Sequence, residues 1–260
     1  MGKKQEGFEQ YYSELYQDRW EALRQALLKE ATTLSLSDEL SSPYFLDPAS
    51  LVSACNLPVN EGDNVLDMCA APGGKTLCLA LKLKGTGSLT SNDRSQARRM
   101  RLKNSIEQCL RPEWRSNIMI TGFDAVSWGV YEKDAYDAIL LDAPCSSERH
   151  VLSDQGELDQ WGPSRPKRLA SQQYGMLCSA MLAVKPQGFI MYSTCSINSI
   201  ENEGVIQRYM DRHDNAQVID LGLYEDPRLS LERRPYGQII LPDASNGFGP
   251  IYTCLMRRIK

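Results

Sequence analysis

The sequence predicts an α/β domain built on a mostly parallel, doubly wound sheet, preceded by a helical extension. Three observations carry this. From residue 64 onward, apolar runs of strand length alternate with stretches of helical periodicity. The run Ala138–Asp142 (AILLD) is apolar up to its terminal acid, as a buried parallel strand is. The chain has 260 residues, 42% of them hydrophobic and 24% charged, enough for one soluble domain with an extension and short for two domains.

Taken in order, residues 1–43 read as an N-terminal extension and 44–260 as the main domain. Phe8, Tyr12, Leu15, Tyr16, Trp20, Leu23 and Leu27 recur at helical spacing and predict helices packed on the body of the protein. Residues 35–43 (SLSDELSSP) read as a loop. Asp47-Pro48 has the form of an N-cap followed by proline at the first helical position, which opens a helix over Ala49–Leu57. Strands are expected at 64–68, 88–92, 117–121, 138–142 and 189–193, with late strands near 218–220, 238–241 and 251–256. Helices are expected at 76–83, 96–110, 165–184 and 201–212, with Lys185-Pro186-Gln187-Gly188 as a turn after the third. Ligands of such sheets bind beyond the carboxyl ends of the strands, which directs attention to the loops after residues 68, 92, 121, 142 and 193.

Composition excludes several classes. No apolar run approaches the roughly 18 residues that span a bilayer. The start (MGKKQEG) is polar, unlike a secretory signal, and Glu6 breaks the myristoylation pattern. Eight cysteines are scattered without a C-x-x-C pair, so neither a metal site nor a disulfide framework is expected. A net charge of −4 excludes a wholly basic nucleic-acid binder but allows a local basic patch.

The first loop, Asp67-Met68-Cys69-Ala70-Ala71-Pro72-Gly73-Gly74-Lys75-Thr76, joins a strand to a helix through small residues. Small residues let the backbone approach a ligand, and the helix N-terminus favours negative charge. Two readings fit. A phosphate loop of a nucleoside triphosphatase needs G-x-x-x-x-G-K-[ST], which positions 69–76 match except that Cys69 replaces the first glycine. An S-adenosylmethionine pocket needs the same turn and an acid at the end of the second strand. Asp93 stands there, 19 residues after Gly74. Asp124 follows the third strand, where an acid can accept from an adenine amino group. Acids at successive strand ends suit hydroxyls, an amino group and a sulfonium, and repel a triphosphate.

Asp142-Ala143-Pro144-Cys145-Ser146-Ser147 follows the fourth strand and Ser193-Thr194-Cys195-Ser196 the fifth, so two thiols are expected over one cleft. This set suits methylation of pyrimidine carbon 5. A thiolate adding to carbon 6 makes carbon 5 nucleophilic, a carboxyl at Asp142 hydrogen-bonds the ring, and a base then removes the carbon-5 proton.

Residues 65–76 (VLDMCAAPGGKT), 142–146 (DAPCS) and 193–196 (STCS) resemble the signature motifs of the Sun/Nop family of RNA cytosine-5 methyltransferases, over about Tyr44 to the C-terminus. The resemblance implies a class I, Rossmann-like methyltransferase fold and S-adenosyl-L-methionine as cofactor. It implies Cys195 as nucleophile and Cys145 as the residue assisting product release, beside Asp142, which the ring chemistry above makes a third catalytic candidate. The cofactor residues carried over are Cys69, Ala70, Ala71, Pro72, Gly73, Gly74, Lys75, Asp93, Asp124 and Asp142, and Arg98 is a further candidate for cofactor binding. Ala143 in place of the more usual proline, and the start FEQYYSELYQDRW, are similar to the short mitochondrial branch. Localisation is then expected in the cytoplasm of a bacterium or the mitochondrion of a eukaryote. A monomer is expected, acting on RNA, ribosomal ahead of transfer RNA, with room for a protein partner in targeting.

Basic residues cluster at Arg94, Arg98, Arg99, Arg101 and Lys103, at Arg165, Lys167 and Arg168, and near the C-terminus. Most read as solvated faces. Arg149 and His150, just beyond Cys145, are the residues expected to touch RNA near the target base, with a cap or hydrogen bond to the loop as an equal reading of His150. An unstacked cytosine is required, which favours a loop or bulge. A cofactor-binding scaffold without catalysis is the non-enzyme alternative, which the presence of both cysteines disfavours.

Overall fold

The computed structural model describes residues 2–30, 32–36, 39–220 and 226–260, the Lys3 side chain excepted. Two helices, α1 (Lys3–Tyr16) and α2 (Trp20–Leu28), meet through a 3-10 turn at Gln17–Arg19. A hairpin of β1 (Leu34–Leu36) and β2 (Tyr44–Leu46) and the helix α3 (Pro48–Asn56) follow. The chain then runs β3 (Asn64–Asp67), α4 (Gly74–Leu83), β4 (Ser88–Asn92), α5 (Gln96–Cys109), β5 (Ile118–Thr121), α6 (Trp128–Tyr131) and β6 (Tyr136–Asp142). It continues through α7 (Glu148–Ser153), α8 (Gln155–Gln160), α9 (Ser164–Ala183), β7 (Val184–Thr194), α10 (Glu203–Met210), β8 (Ala216–Ile219), β9 (Leu231–Arg233), β10 (Gln238–Ile240) and β11 (Ile251–Arg258).

The main sheet has the order β5-β4-β3-β6-β7-β11-β10-β9, with β8 paired to β11. The pairs from β5 to β7 are parallel and the remainder antiparallel. Side chains alternate across the sheet and build two cores. Leu66, Ile139 and Leu141 face one core with α9 and α10, whereas Val65, Ala138 and Leu140 face the other with α4 and α5. Burial on both faces is why these strands read as continuous apolar runs.

The helical stripe of the extension packs as expected: Phe8, Tyr12, Trp20, Leu23 and Leu27 join the first core, and Phe8 meets Trp161 edge to face at 5.1 Å between ring centroids. Leu15 differs and is exposed. Asp47 caps α3 by accepting from the Ala49 amide at 2.8 Å. Of the loop expected at 35–43, Ser37 and Asp38 lie outside the described residues, and its flanks form the hairpin β1–β2 instead.

The turn expected at 185–188 is also absent: β7 already begins at Val184, which pairs with Tyr136. The irregularity needed there sits in the pairing itself, as a register shift between Tyr136 and Ala138. The last expected helix is shorter than predicted, because residues 195–202 form an irregular loop before α10.

Candidate active site

Five parallel strands present their carboxyl ends on one edge of the sheet, and the loops there carry most of the expected site. The first loop is pinned by the Met68 amide donating to Leu140 O (2.9 Å) and the Ala70 amide to Asn92 O (2.7 Å). Its turn needs glycine twice. Gly73 has φ +121°, and a Cβ on Gly74 would lie 2.8 Å from Cε1 of Tyr44, contributed by the hairpin. The loop lines a cavity of about 100 Å³ together with Tyr44, Asp67 and Asp142.

Asp142 is held from two sides. Lys75 Nζ donates to its Oδ2 at 2.7 Å and Ser193 Oγ to its Oδ1 at 2.8 Å. Burial opposes the Lys75 charge, but the Asp142 carboxylate overcomes it and holds the ammonium above its ordinary value. Asp93 is 4% exposed. Its Oδ1 accepts from the Ser95 amide at 2.9 Å, and its Oδ2 has no hydrogen bond, lying 3.3 Å from Arg98 Nη1. Arg98 in turn donates to Ala71 O at 2.6 Å, which ties the second strand end to the first loop. Asp124 stands further out. It caps the turn at Ala125–Ser127 and faces Arg94 at 3.6 Å, beside a separate cavity of about 460 Å³ under Phe123, Trp128 and Tyr131.

Asp67, to which the sequence assigns no role, lines the cavity of the first loop. Its carboxyl is fully buried, accepts from Thr76 Oγ1 at 2.7 Å, and has one oxygen unpaired. Burial, with Asp142 and Asp93 nearby, pushes it up to about 7. Its place as the last residue of β3 was the available signal.

The two expected thiols meet. Cys145 and Cys195 lie Sγ to Sγ at 2.7 Å, the Cys195 amide donates to Cys145 Sγ at 3.2 Å, and Ser147 Oγ is 3.1 Å from Cys195 Sγ. The Cys145 contact, aided by Ser147, draws the thiol of Cys195, an exposed residue, below its ordinary value. The same contact and burial push Cys145 up. One thiol is thus poised as the anion and the other as the proton carrier.

Arg149 is a correction. It was expected on RNA, but its guanidinium is fully engaged by main-chain carbonyls. Nε donates to Gly249 O (3.1 Å). Nη1 donates to Lys29 O (2.8 Å) and, at 3.4 Å, to Ala26 O and Leu27 O. Nη2 donates to Gly247 O and Gly249 O, both at 2.8 Å. All five N–H donors have acceptors, so Arg149 ties α2 to the segment before β11. His150 is exposed on the first turn of α7. Among the described residues no cluster of His, Cys, Asp and Glu suits a metal ion, and no helix is long and apolar enough to cross a membrane.

The site accepts some ligands and rejects others. Carboxylate oxygens of Asp67 and Asp93 lie buried without hydrogen-bond partners, and the loop between them is built of small residues. Such a cradle fits a cofactor that brings hydroxyls and a positive charge. A triphosphate would meet the carboxyls of Asp67 and Asp142, and the lysine it requires is bound to Asp142.

The fold is that of class I methyltransferases, and the first loop with its buried carboxyls fits their cofactor, S-adenosylmethionine. The family model described as "16S rRNA methyltransferase RsmB/F" matches residues 54–256, and the chain belongs to this family. The resemblance to the Sun/Nop family therefore stands.

Among relatives, the 5-cytosine rRNA methyltransferase NSUN4 of Mus musculus is 35% identical over 230 residues, covering 83% of this chain and 60% of that protein. The mitochondrial tRNA (cytosine(34)-C(5))-methyltransferase of Danio rerio is 34% identical over 228 residues, covering 85% and 62%. The chain thus spans about three fifths of the length of these relatives. The crystal structure of NSun6 from Pyrococcus horikoshii with SFG, an analogue of the cofactor, superposes with a TM-score of 0.69 at 25% identity, covering 87% of this chain and 57% of that one.

Proposed function

We propose that the protein methylates carbon 5 of a cytosine in RNA, ribosomal ahead of transfer RNA, through a covalent bond between Cys195 and the base. The observation that carries this is the Cys145–Cys195 pair, with its opposite proton preferences, seated beside Asp142 at the mouth of the cofactor loop. S-adenosylmethionine, when bound, supplies an electrophilic methyl carbon on a sulfonium. Asp93 suits the ribose hydroxyls, Asp124 an adenine amino group, and the first loop the backbone of the ligand.

The Cys195 thiolate adds to carbon 6, and the electrons of the 5,6 double bond move to carbon 5, the atom that takes the methyl group. Asp142, anchored by Lys75 and Ser193, accepts from the cytosine amino group and orients the ring. Solvent water in the open cleft accepts the carbon-5 proton, the C–H pair returns to the 5,6 bond, and Cys195 departs with the pair of the C–S bond. Cys145 is the group nearest to assist that departure. His150, exposed beyond the loop, is the remaining candidate for contact with RNA near the base.

The test is a denaturing gel of cysteine variants with RNA and S-adenosylmethionine. Cys145→Ala is expected to accumulate a slow, RNase-sensitive band. Cys195→Ala and the double variant are expected to show none. The reverse pattern would exchange the two roles. Methylation intact in both single variants, without any band, would refute the covalent route.

A further inference from the structure

Beneath the two cysteine loops lie two carboxyl groups that the reaction above does not use. Glu148 and Glu201 are each 0% exposed, and among the described residues neither forms a salt bridge. Glu148 Oε1 accepts from the Tyr12 hydroxyl at 2.6 Å, and its Oε2 from the Ile197 amide at 3.1 Å. Glu201 Oε2 accepts from the Ser146 amide and from Gln173 Nε2, both at 2.9 Å, and its Oε1 takes a short bond from Ser146 Oγ. Ser196 Oγ joins the two carboxyls, 3.0 Å from Glu148 Oε1 and 3.2 Å from Glu201 Oε1.

Counting protons decides the state of this cluster. Ser196 has one hydroxyl hydrogen and contacts two carboxyl oxygens, so one contact lacks a proton if both glutamates are ionised. The other donors of the cluster are already directed. The Asn198 amide donates to Ser196 Oγ at 3.0 Å, Ser146 Oγ points to Glu201, and Tyr12 points to Glu148. The arrangement closes with one added proton, on Glu201 Oε1. It donates to Ser196 Oγ, which donates to Glu148. Glu148, accepting from Tyr12, Ser196 and Ile197, is then the anion.

We propose that Glu148 and Glu201 share one proton and act as a latch that holds the Cys145 loop against the Cys195 loop. Each spans the gap. Glu148 belongs to the first loop's helix and binds Ser196 and Ile197 of the second. Glu201 follows the second and binds Ser146 of the first. They are positioning residues, since neither touches the reacting atoms. The groups facing them are Tyr12 from α1, Gln173 from α9, Tyr192 from β7, whose hydroxyl donates to Glu201 O at 2.6 Å, and the Cys145 thiol; Asp142 lies nearby. None brings a positive charge to offset a second ionisation. Burial and the charge of Glu148 push Glu201 up to about 7, in keeping with the proton count.

The catalytic consequence rests on the covalent reading, so the experiment includes a readout that does not need RNA. The rate of Cys195 alkylation by iodoacetamide and the single-turnover methylation rate are measured from pH 6 to 9 in the wild type, Glu201→Gln, Glu201→Ala and Glu148→Gln. Folding is checked by melting temperature and by S-adenosylhomocysteine affinity. As pH rises, loss of the shared proton places two anions together and opens the latch, so wild-type methylation is expected to fall on the alkaline side. Glu201→Gln keeps a donor toward Ser196 and cannot ionise, so it is expected to remove that fall. Glu201→Ala is expected to lose about a hundredfold, the scale at which a misplacement of about 1 Å acts. Glu148→Gln turns amide hydrogens toward the Tyr12 and Ser196 hydroxyls at one position or toward the Ile197 amide at the other, and is expected to behave like the alanine variant.

Equal behaviour of the two glutamine variants, or an unchanged alkaline limb in Glu201→Gln, would overturn the latch. If no variant forms an RNA adduct, the covalent reading fails. The alkylation profiles still decide the latch: a step in Cys195 alkylation rate on the alkaline side, present in the wild type and absent in Glu201→Gln, supports it, and the same profile in both overturns it.

Discussion

Replacing Arg149 with alanine separates an architectural role from an RNA-binding one. In the structure this guanidinium joins α2 to the segment before β11 through bonds to the carbonyls of Lys29, Gly247 and Gly249 at 2.8 Å, with longer bonds to Ala26 and Leu27. Alanine leaves three well-placed carbonyls without their donors. A hydrogen bond from a charged donor contributes about 1.5–3 kcal/mol when buried, and partial exposure reduces each here to about 1 kcal/mol, a total of about 3 kcal/mol. For a chain of this size that lowers the melting temperature by about 6–12 °C. Burial depresses the basicity of Arg149 but leaves it charged, so lysine, with one donor centre, is expected to recover only a small part of the loss. The assay is thermal melting beside RNA affinity at several salt concentrations. An unchanged melting temperature, with weaker RNA binding and a shallower salt slope, would show that Arg149 neutralises a phosphate and would refute the reasoning.

Other expected outcomes concern the cofactor loop and its buried acids. Asp93→Ala is expected to weaken S-adenosylhomocysteine binding by calorimetry by about 1.5–3 kcal/mol for each ribose bond lost, with folding intact; unchanged affinity would dissociate Asp93 from the pocket. Gly74→Ala places a Cβ 2.8 Å from Tyr44 Cε1, so the ring must move into the cavity. Cofactor affinity is then expected to fall while the melting temperature changes little. For Asp67 the folded carboxyl is raised from 3.8 to about 7, so its stability contribution is complete below 3.8 and is lost as pH rises through 7. Asp67→Asn cannot ionise and, without cofactor, is expected to gain on the wild type between pH 4 and 7, by at most about 4 kcal/mol. A parallel pH dependence of the two melting curves would exclude this ionisation.

The alternation of strands and helices was legible because each parallel strand is buried on both faces and each helix on one, so burial writes its period into the residues. The cysteine and glycine motifs were legible for a related reason: their chemistry constrains residue type at fixed spacing. The misses share a different cause. The three-residue strands Leu34–Leu36 and Tyr44–Leu46 exist by pairing with one another and carry too few residues for a period. Val184 continues a strand because Tyr136 stands opposite, a fact held 48 residues away in the chain. Glu148 lies next to a recognisable motif, yet its meaning comes from the hydroxyl of Tyr12, 136 residues earlier. Arg149 was assigned to RNA from its nearness to Cys145 in sequence, whereas its partners arrive from segments about 100 and 120 residues distant.

The same distances change the meaning of the N-terminal helices. Residues 195–202 have no regular structure of their own, so the place of Cys195 depends on side chains that hold that loop from outside. Three tyrosines of α1 do so. Tyr11 accepts from Asn198 Nδ2 at 3.1 Å, Tyr12 donates to Glu148 at 2.6 Å, and Tyr16 donates to Ile197 O at 2.6 Å. Arg19, just after them, bridges Glu232 and Asp243 and fixes the helices to the far side of the sheet. Each bond contributes only about 1 kcal/mol to stability, but together they restrain a loop whose displacement by about 1 Å would cost orders of magnitude in rate. The aromatic stripe that reads as packing in the sequence thus also carries the polar ends that set the nucleophile. A cut near residue 43 would remove all three of these tyrosines from the loop that carries Cys195.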